Sequence, residues 1–168
     1  MRNKRDQLSA IFRPLIGQRP WQVRLGYGSF ITMEFGKKTR DTWVAHGRRS
    51  SAVHGEWHLW IYQCDWKLTK HRRPIVSSED ERDRLAPVVE TLKGRILESV
   101  RIYDDSFNTD FAFSGGLTLR TTGFSDEDPD EERWLLYMPQ HKVLLNLPGM
   151  LVVKNSNEAN RVPLSALA

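Results

Sequence analysis

The sequence predicts an α+β fold in which two pseudo-symmetric units, each a helix followed by an antiparallel meander, form a sandwich or half-open barrel. Three observations predict it: a repeat at a constant offset of 77 residues, a helical pattern opening each copy, and strand patterns after each helix. Residues 1–154 are predicted to form one domain made of a basic unit (1–77) and an acidic unit (78–154). Residues 155–168 are expected to be a flexible C-terminal tail.

The repeat is clearest where residues 5–30 are aligned with residues 82–107. Nine of the 26 aligned pairs are identical, where chance would supply roughly two. Pairs that share this offset farther along the chain are Trp57/Trp134 and Leu59/Leu136. An internal structural repeat is therefore expected.

Each copy opens with apolar residues at helical spacing. The first stripe is Leu8, Ile11, Phe12 and Leu15, and the second is Leu85, Val88, Val89 and Leu92. Ser78 with Glu81 three residues later is typical of a capping box, so the second helix is predicted to begin there. Gly17 and Gly94 are expected to end the two helices.

After each glycine the apolar period changes to two, which indicates strands. Residues 21–25 and 31–35 alternate in this way, and residues 56–66 are apolar on both faces, as is typical of a central strand. Residues 108–116 are interpreted as a lengthened turn. Further strands are predicted at 96–102, 117–119, 134–138, 143–147 and 151–153.

The composition favours a folded protein of the cytoplasm. Hydrophobic residues make up 39% of the chain, with six Trp and seven Phe, which is enough for a packed interior. No apolar run approaches the ~18–20 residues that span a bilayer, and the N-terminus lacks the apolar segment of a signal peptide. The single cysteine, Cys64, excludes an internal disulfide framework and is expected to be a buried, inert thiol.

Charge is divided unevenly along the chain. Residues 1–73 hold 15 Lys and Arg against 5 Asp and Glu, giving +10, whereas residues 74–168 hold 10 against 16, giving −6. The sum is the net charge of +4. An anionic partner, an acidic partner surface, attraction between the two halves, or two solvated faces would each account for this asymmetry.

The positive charge of the first unit is clustered and is expected in loops or at strand ends. Trp43, Trp66 and Tyr27 lie near enough in sequence to offer stacking faces, a combination used by proteins that bind single-stranded nucleic acid. The predicted basic face consists of Lys37, Lys38, Arg40, Arg48, Arg49, Arg72 and Arg73.

An acidic loop in the second unit is the alternative contact surface. Its aspartates have the odd spacing of a calcium loop, but Glu131 and Tyr137 stand where that loop needs Gly and Glu, so a solvated or docking loop is expected instead. The loop residues are Asp126, Glu127, Asp128, Asp130, Glu131 and Glu132.

One stretch contains residue types that bind metal ions. His54, Glu56 and His58 alternate, so on a regular strand all three would face one side, and two imidazoles with a carboxylate are a ligand set for zinc or iron. The aligned residues of the second copy are Glu131, Arg133 and Leu135, which are not ligands as a set. A polar strand edge is the competing interpretation. No phosphate-binding loop, nucleophile elbow or metalloprotease helix is present, and no cofactor is expected.

Three stretches together carry a family resemblance: "LIGQ…VRL…FITMEFG", "LKGR…VRI…LTLRT" and "DEERWLLYMPQHKVLLNLPGMLVV". With these, the chain resembles a loose group of small uncharacterised bacterial tandem-repeat, β-rich proteins, some encoded near polymorphic-toxin or other conflict genes. The resemblance implies an immunity-type binding role. It carries over no catalytic residue, because that group has none established.

Three functions remain open, in this order. The first is a non-enzymatic protein-interaction module, of the immunity or defence-accessory type. The second is a nucleic-acid-binding accessory protein that uses the basic loops. The third is a metal-dependent enzyme built on His54, Glu56 and His58.

Overall fold

The fold is mostly β. A computed structural model describes residues 4–157 and 162–163, with strands making up 48% and helices 10%. The prediction of an α+β fold is therefore wrong. Each apolar stripe of helical spacing supports a helix of only nine residues, and most of the remaining sequence pairs as strands.

The elements follow one another in an order that places one helix at the start of each half. The helices are α1 (Lys4–Phe12) and α2 (Arg82–Glu90). The strands before α2 are β1 (Gln22–Leu25), β2 (Ile31–Phe35), β3 (Thr39–Ala45), β4 (Arg48–His54), β5 (Trp57–Ile61), β6 (Asp65–Lys70) and β7 (Arg73–Ser77). Those after it are β8 (Leu97–Ile102), β9 (Thr109–Phe113), β10 (Leu117–Thr122), β11 (Trp134–Met138), β12 (Lys142–Leu147), β13 (Met150–Asn155) and β14 (Val162–Pro163).

The strands form two large antiparallel sheets and a separate hairpin. The seven-stranded sheet has the order β1-β2-β5-β11-β12-β13-β14, and the five-stranded sheet has the order β7-β6-β10-β9-β8. Each of the two large sheets contains strands from both halves of the chain. The predicted helix-plus-meander units are therefore wrong. Strands β6 and β7 belong to the first half of the chain, but β6 pairs with β10 of the second half.

The two halves nevertheless contact each other reciprocally. Gly17 donates its backbone N–H to Leu97 O and Gly94 donates to Pro20 O, both at 2.8 Å. The two contacts match, because Gly17 and Gly94 are counterparts in the repeat. Leu97 lies three residues after Gly94, and Pro20 lies three residues after Gly17. Where β5 pairs with β11, Leu59 likewise lies directly opposite its counterpart. The internal repeat as a whole stays a prediction.

One apolar core joins both large sheets. Trp134 lies at its centre, with its ring in edge contact with Phe12 of α1 at 6.0 Å and with Phe111 of β9 at 5.8 Å between centroids. The indole N–H of Trp134 donates to Thr109 Oγ1 at 2.9 Å, so this buried donor is satisfied. The predicted helical stripes supply Phe12, Leu15, Leu85, Val89 and Leu92 to the core.

Two local predictions are wrong for identifiable reasons. The second helix does not begin at Ser78, because that hydroxyl donates to Asp65 and accepts the Trp66 N–H at the start of β6. Its N-cap is Glu81, whose side chain makes no capping bond. The predicted turn at 108–116 contains β9, where aromatic residues alternate toward the core.

No helix in the described part of the chain is long and apolar enough to cross a bilayer. The predicted C-terminal tail lies mostly outside the described residues. Within it, Val162 and Pro163 pair with β13.

Candidate functional site

A β-hairpin projects from the seven-stranded sheet and forms a two-stranded sheet of its own. We call residues 39–54, which comprise β3, β4 and their turn, the arm. Every residue of β3 is exposed, as are five of the seven residues of β4. The arm prolongs β2 and β5, which are neighbours in the large sheet, so it leaves the body of the protein at a defined place.

The tip of the arm is a two-residue turn. Ala45 pairs with Arg48, and the residues between them, His46 and Gly47, have φ angles of +49° and +74°. Positive φ at both positions is the geometry of a type I′ turn, whose twist matches that of the flanking strands. A Gly-containing dipeptide between two strand-forming runs is the signal that would have located this hairpin from the sequence.

The two faces of the arm differ in chemistry. Cross-strand partners share a face, and Arg40 pairs with Val53 while Val44 pairs with Arg49. Val44 is 72% exposed and Val53 is 37% exposed. We call these four residues the Arg–Val face. The opposite face carries Trp43, which is 47% exposed.

The arm and the residues leading into it carry charge equal to the net charge of the whole protein. Residues 37–54 contain five Lys and Arg and one acidic residue, Asp41, which gives +4. The whole chain is also +4, so the remaining residues sum to zero. Of these four charges, the arm itself carries +2, and Lys37 and Lys38 at its base carry the other two. The five cations are Lys37, Lys38, Arg40, Arg48 and Arg49.

The base of the arm is a bulge, where residues 36–38 of one strand oppose only residues 55 and 56 of the other. Gly55 lies directly against the backbone of Phe35, and a Cβ there would stand 2.8 Å from Phe35 N and closer still to its carbonyl oxygen. The buried carboxylate of Glu34 accepts the Gly55 N–H at 2.7 Å. The two strands approach each other so closely at this point that only glycine fits position 55.

A second set of contacts holds the other strand of the bulge. Glu56 accepts the backbone N–H of Lys37 at 2.9 Å. Trp21 donates its indole N–H to Gly36 O at 3.1 Å, and the ammonium of Lys38 lies 4.7 Å from the Trp21 ring centroid. Both strands of the arm are therefore fixed where they leave the sheet.

His54 joins the arm to its base. Its Nδ1 lies 3.0 Å from Gly55 O and its Nε2 lies 2.6 Å from Asp41 Oδ2. Both partners are acceptors, so only the doubly protonated ring donates to both. The bond to Gly55 O, and then the Asp41 carboxylate, raise the pKa of His54 above its ordinary value of 6.5.

The predicted metal ligands all stand near the base but engage different partners. His54 bonds Asp41, Glu56 bonds the Lys37 N–H, and His58 Nδ1 lies 2.8 Å from Glu34 Oε1. His54 ends β4 and His58 lies in β5, and all three residues line one cleft beside the base of the arm. Within residues 4–157 and 162–163 no group of three or more His, Cys, Asp or Glu is arranged to hold a metal ion.

The predicted basic face is divided between two places. Arg40, Arg48 and Arg49 lie at the starts of β3 and β4, one of the two predicted placements, and Lys37 and Lys38 lie at the base of the arm. Arg72 and Arg73 belong instead to the β6–β7 hairpin of the five-stranded sheet.

The predicted stacking residues also separate. Trp43 on the arm is exposed, and Tyr27 in the β1–β2 turn is 88% exposed. Trp66 is buried and donates its indole N–H to Ser29 O at 2.7 Å. Trp66 therefore belongs to the core and offers no stacking face.

The acidic loop connects β10 to β11 and is partly committed to the fold. Glu127 forms a two-point ion pair with the buried guanidinium of Arg133, with one contact at 2.9 Å. Arg133 also donates to Ser106 O at 2.6 Å. Glu127 is thus an internal partner, which the run of acidic residues did not reveal.

Cys64 is buried and donates its S–H to Arg133 O at 3.2 Å. Burial raises the pKa of its thiol to about 12. The thiol is therefore protonated at neutral pH, in agreement with the prediction of an inert cysteine.

Compared with known proteins, the chain matches no family model, no curated protein and no solved structure.

Proposed function

We propose that this protein is a non-enzymatic interaction module whose arm binds an acidic surface of a partner protein. The observation that carries the proposal is the arm itself, an exposed hairpin with a net charge of +2, to which Lys37 and Lys38 at its base add two further positive charges. Charge concentrated in this way accelerates encounter with an oppositely charged partner and selects against partners of like charge.

The Arg–Val face supplies more than charge. Val44 and Val53 offer apolar area beside the guanidinium groups of Arg49 and Arg40. Guanidinium groups bind carboxylates with two parallel hydrogen bonds, while the neighbouring valines gain from being removed from water. A partner that pairs acidic side chains with an apolar patch fits this face best.

The base of the arm supports the proposal because it limits the conformational entropy that the arm loses on binding. An isolated two-stranded hairpin is marginally stable in water. Here Glu34 and Glu56 tie the two strands where the hairpin leaves the sheet. Holding the arm before the partner arrives reduces the ordering entropy lost on association.

The resemblance to proteins encoded near toxin genes suggests what kind of protein the partner is. On this basis the partner would be a toxin with an acidic, partly apolar surface, and the arm would mask it. The acidic loop is a second candidate surface for binding a partner protein, in this case one with a basic surface.

Nucleic-acid binding is the second candidate, and Trp43 is the observation that favours it. An exposed indole on a cationic β-ribbon offers a stacking face beside groups that contact phosphate. The metal-dependent enzyme has no comparable support, since His54, Glu56 and His58 each engage a different partner.

Affinity capture from a host lysate, with and without nuclease treatment, separates the first two candidates. A protein recovered equally after nuclease treatment supports the interaction module and identifies its target. Recovery that collapses with nuclease contradicts the module and favours nucleic-acid binding. Salt dependence gives a second criterion, because the release of counterions from several phosphates makes affinity fall steeply with salt.

A further inference from the structure

The outer edge of β3 is a long strand edge that nothing in the described part of the chain covers. All seven residues of β3 are exposed, and they pair with β4 without a register shift. No described residue outside the arm hydrogen-bonds to the β3 backbone. Such an edge presents a row of unpaired N–H and C=O groups to which another strand can add.

Three of the four edge strands of the large sheets are protected in ways that β3 is not. Arg82 donates to Leu25 O of β1 at 3.2 Å, and β7 contains Pro74. Strand β8 has a register shift, and its Leu97 N–H donates to Gln18 O at 2.8 Å. Cover, proline and irregular pairing are the usual protections against the addition of a further strand. The edge of β3 has none of them.

The turn at the tip of the arm determines which backbone groups of β3 point outward. Ala45 and Arg48 flank the two-residue turn, so they form a hydrogen-bonded pair, and such pairs alternate with non-hydrogen-bonded pairs along the hairpin. Arg40, Thr42 and Val44 therefore direct both their N–H and their C=O groups away from β4.

The spacing of these three residues suits antiparallel pairing with β3 of a second copy. With Thr42 opposite its own counterpart, Arg40 lies opposite Val44, and all the outward-directed positions form hydrogen-bonded pairs. Asp41 then lies opposite Trp43. No like charges face each other directly, and each contact is made twice, as a two-fold symmetric interface requires.

The distribution of charge favours β3 over β4 as the strand that pairs. Strand β3 carries one arginine and one aspartate and is neutral, whereas β4 carries Arg48 and Arg49 and is +2. When two copies pair through β3, their β4 strands lie outermost, three strand spacings or about 14 Å apart. This separation exceeds the screening length of about 8 Å at physiological ionic strength.

We infer that β3 pairs antiparallel with β3 of a second copy, so that two arms form one four-stranded sheet in the order β4-β3-β3-β4 with Thr42 at its centre. The pairing uses a strand edge and leaves both faces of each arm exposed. It therefore does not rest on the partner that the Arg–Val face binds, and it places the two Arg–Val faces on the same side of the new sheet. A single pair of seven-residue strands is a small contact, so the dimer is weak and depends on concentration.

Cysteine cross-linking tests the register. In the dimer the two Thr42 Cα atoms lie about 5.5 Å apart, a separation that a disulfide spans. Thr42→Cys should therefore form an interchain disulfide under mild oxidation. The natural cysteine, Cys64, is buried, so the introduced thiol is the one that reacts.

Ser51→Cys is the matched control. Ser51 pairs with Thr42 across the hairpin and is on the same face, but in the dimer it lies about 14 Å from its counterpart. We expect its interchain disulfide to form about tenfold more slowly than that of Thr42→Cys. Equal rates, or a faster reaction of Ser51→Cys, overturn the inference.

Sedimentation of the full chain between about 10 µM and about 1 mM tests the association itself. The average mass should rise toward that of two chains. Thr42→Pro removes the outward N–H and should weaken association about tenfold or more, whereas Ser51→Pro, the same change on the outer edge of β4, should leave it unchanged.

A wild-type chain that stays monomeric over this range overturns the inference, even if Thr42→Pro abolishes capture of a protein from the host lysate. That combination would show that the edge accepts a strand of a different protein. The wild-type measurement decides the question if a proline variant disturbs the arm.

Discussion

Gly55 and Phe35 touch through their backbones, with no space for a side chain between them. This contact lies at the bulge where the arm leaves the seven-stranded sheet, and it is reinforced by the hydrogen bond from the Gly55 N–H to Glu34. The direction of the arm therefore depends on a glycine that the body of the protein holds in place.

Replacing Gly55 with alanine should destabilise the protein. The added Cβ would meet the Phe35 backbone, which cannot move aside without disturbing the pairing of β2 with β5. We expect a loss of about 1–3 kcal/mol in the free energy of unfolding, the usual cost of forcing atoms into filled space. Urea denaturation measures it.

Gly26→Ala is the matched control, because a Cβ at position 26 would meet its nearest atoms at an ordinary 3.6 Å. Its free energy of unfolding should change by less than about 1 kcal/mol. Equal losses for the two variants would contradict the close approach of Gly55 to Phe35.

The contribution of His54 to stability should depend on pH. Because the folded-state pKa is raised above 6.5, this contribution is fully present below pH 6.5 and is lost as the pH rises through the folded-state pKa. The stability advantage of wild type over His54→Gln should accordingly shrink as the pH is raised. Urea denaturation at a series of pH values measures this difference.

NMR titration of the His54 ring checks the cause. Asp41→Asn should move its pKa back toward 6.5, since it removes one of the two groups that hold the proton. A wild-type pKa at or below 6.5 would refute the contacts assigned to His54.

Glu127→Ala should be strongly destabilising although it lies in an acidic surface loop. Its carboxylate balances the guanidinium of Arg133, whose side chain is only 7% exposed. Breaking a buried ion pair by removing one partner costs about 3–5 kcal/mol, and the hydrogen bond that Arg133 keeps to Ser106 O places our expectation near the lower value. Thermal and urea denaturation should agree.

Glu131→Ala makes the same change at an exposed position of the same loop. It should alter the free energy of unfolding by less than about 0.5 kcal/mol. If Glu127→Ala were as mild, the ion pair would not anchor the loop.

Local periodicity in the sequence was enough to predict several elements. The apolar stripes at Leu8–Leu15 and Leu85–Leu92 locate both helices. The prediction that Gly17 and Gly94 end them is wrong, because the helices end at Phe12 and Glu90 and the glycines follow after a turn, with φ angles of +91° and +76°. Residues 56–66, predicted as one central strand, are divided: residues 57–61 form β5 in the interior of the seven-stranded sheet, as expected, whereas Asp65 and Trp66 begin β6 of the other sheet. These features depend on neighbours along the chain.

Features that depend on distant pairing could not be predicted in this way. Whether β6 pairs with β5 or crosses to β10 depends on strand edges that no local pattern specifies. The arm was missed because its strands are exposed on both faces, so they lack the apolar alternation that marks a strand packed on a core.

The candidate site could be predicted only in part. Composition identified the cations of the arm but also included Arg72 and Arg73, which the fold places on another sheet. The metal prediction placed His54, Glu56 and His58 on one side of a strand, and all three do line one cleft, but each bonds a different partner, which local alternation could not reveal.

The central claim is that the arm is the contact surface, and the association rate with the captured partner tests it most directly. Arg40→Glu/Arg49→Glu reverses two charges of the Arg–Val face, and Arg72→Glu/Arg73→Glu makes the same change in charge on the β6–β7 hairpin. We predict that the first pair slows association about tenfold or more, while the second changes it about twofold or less. Equal effects of the two pairs, or an unchanged rate for the arm variant, would contradict the account.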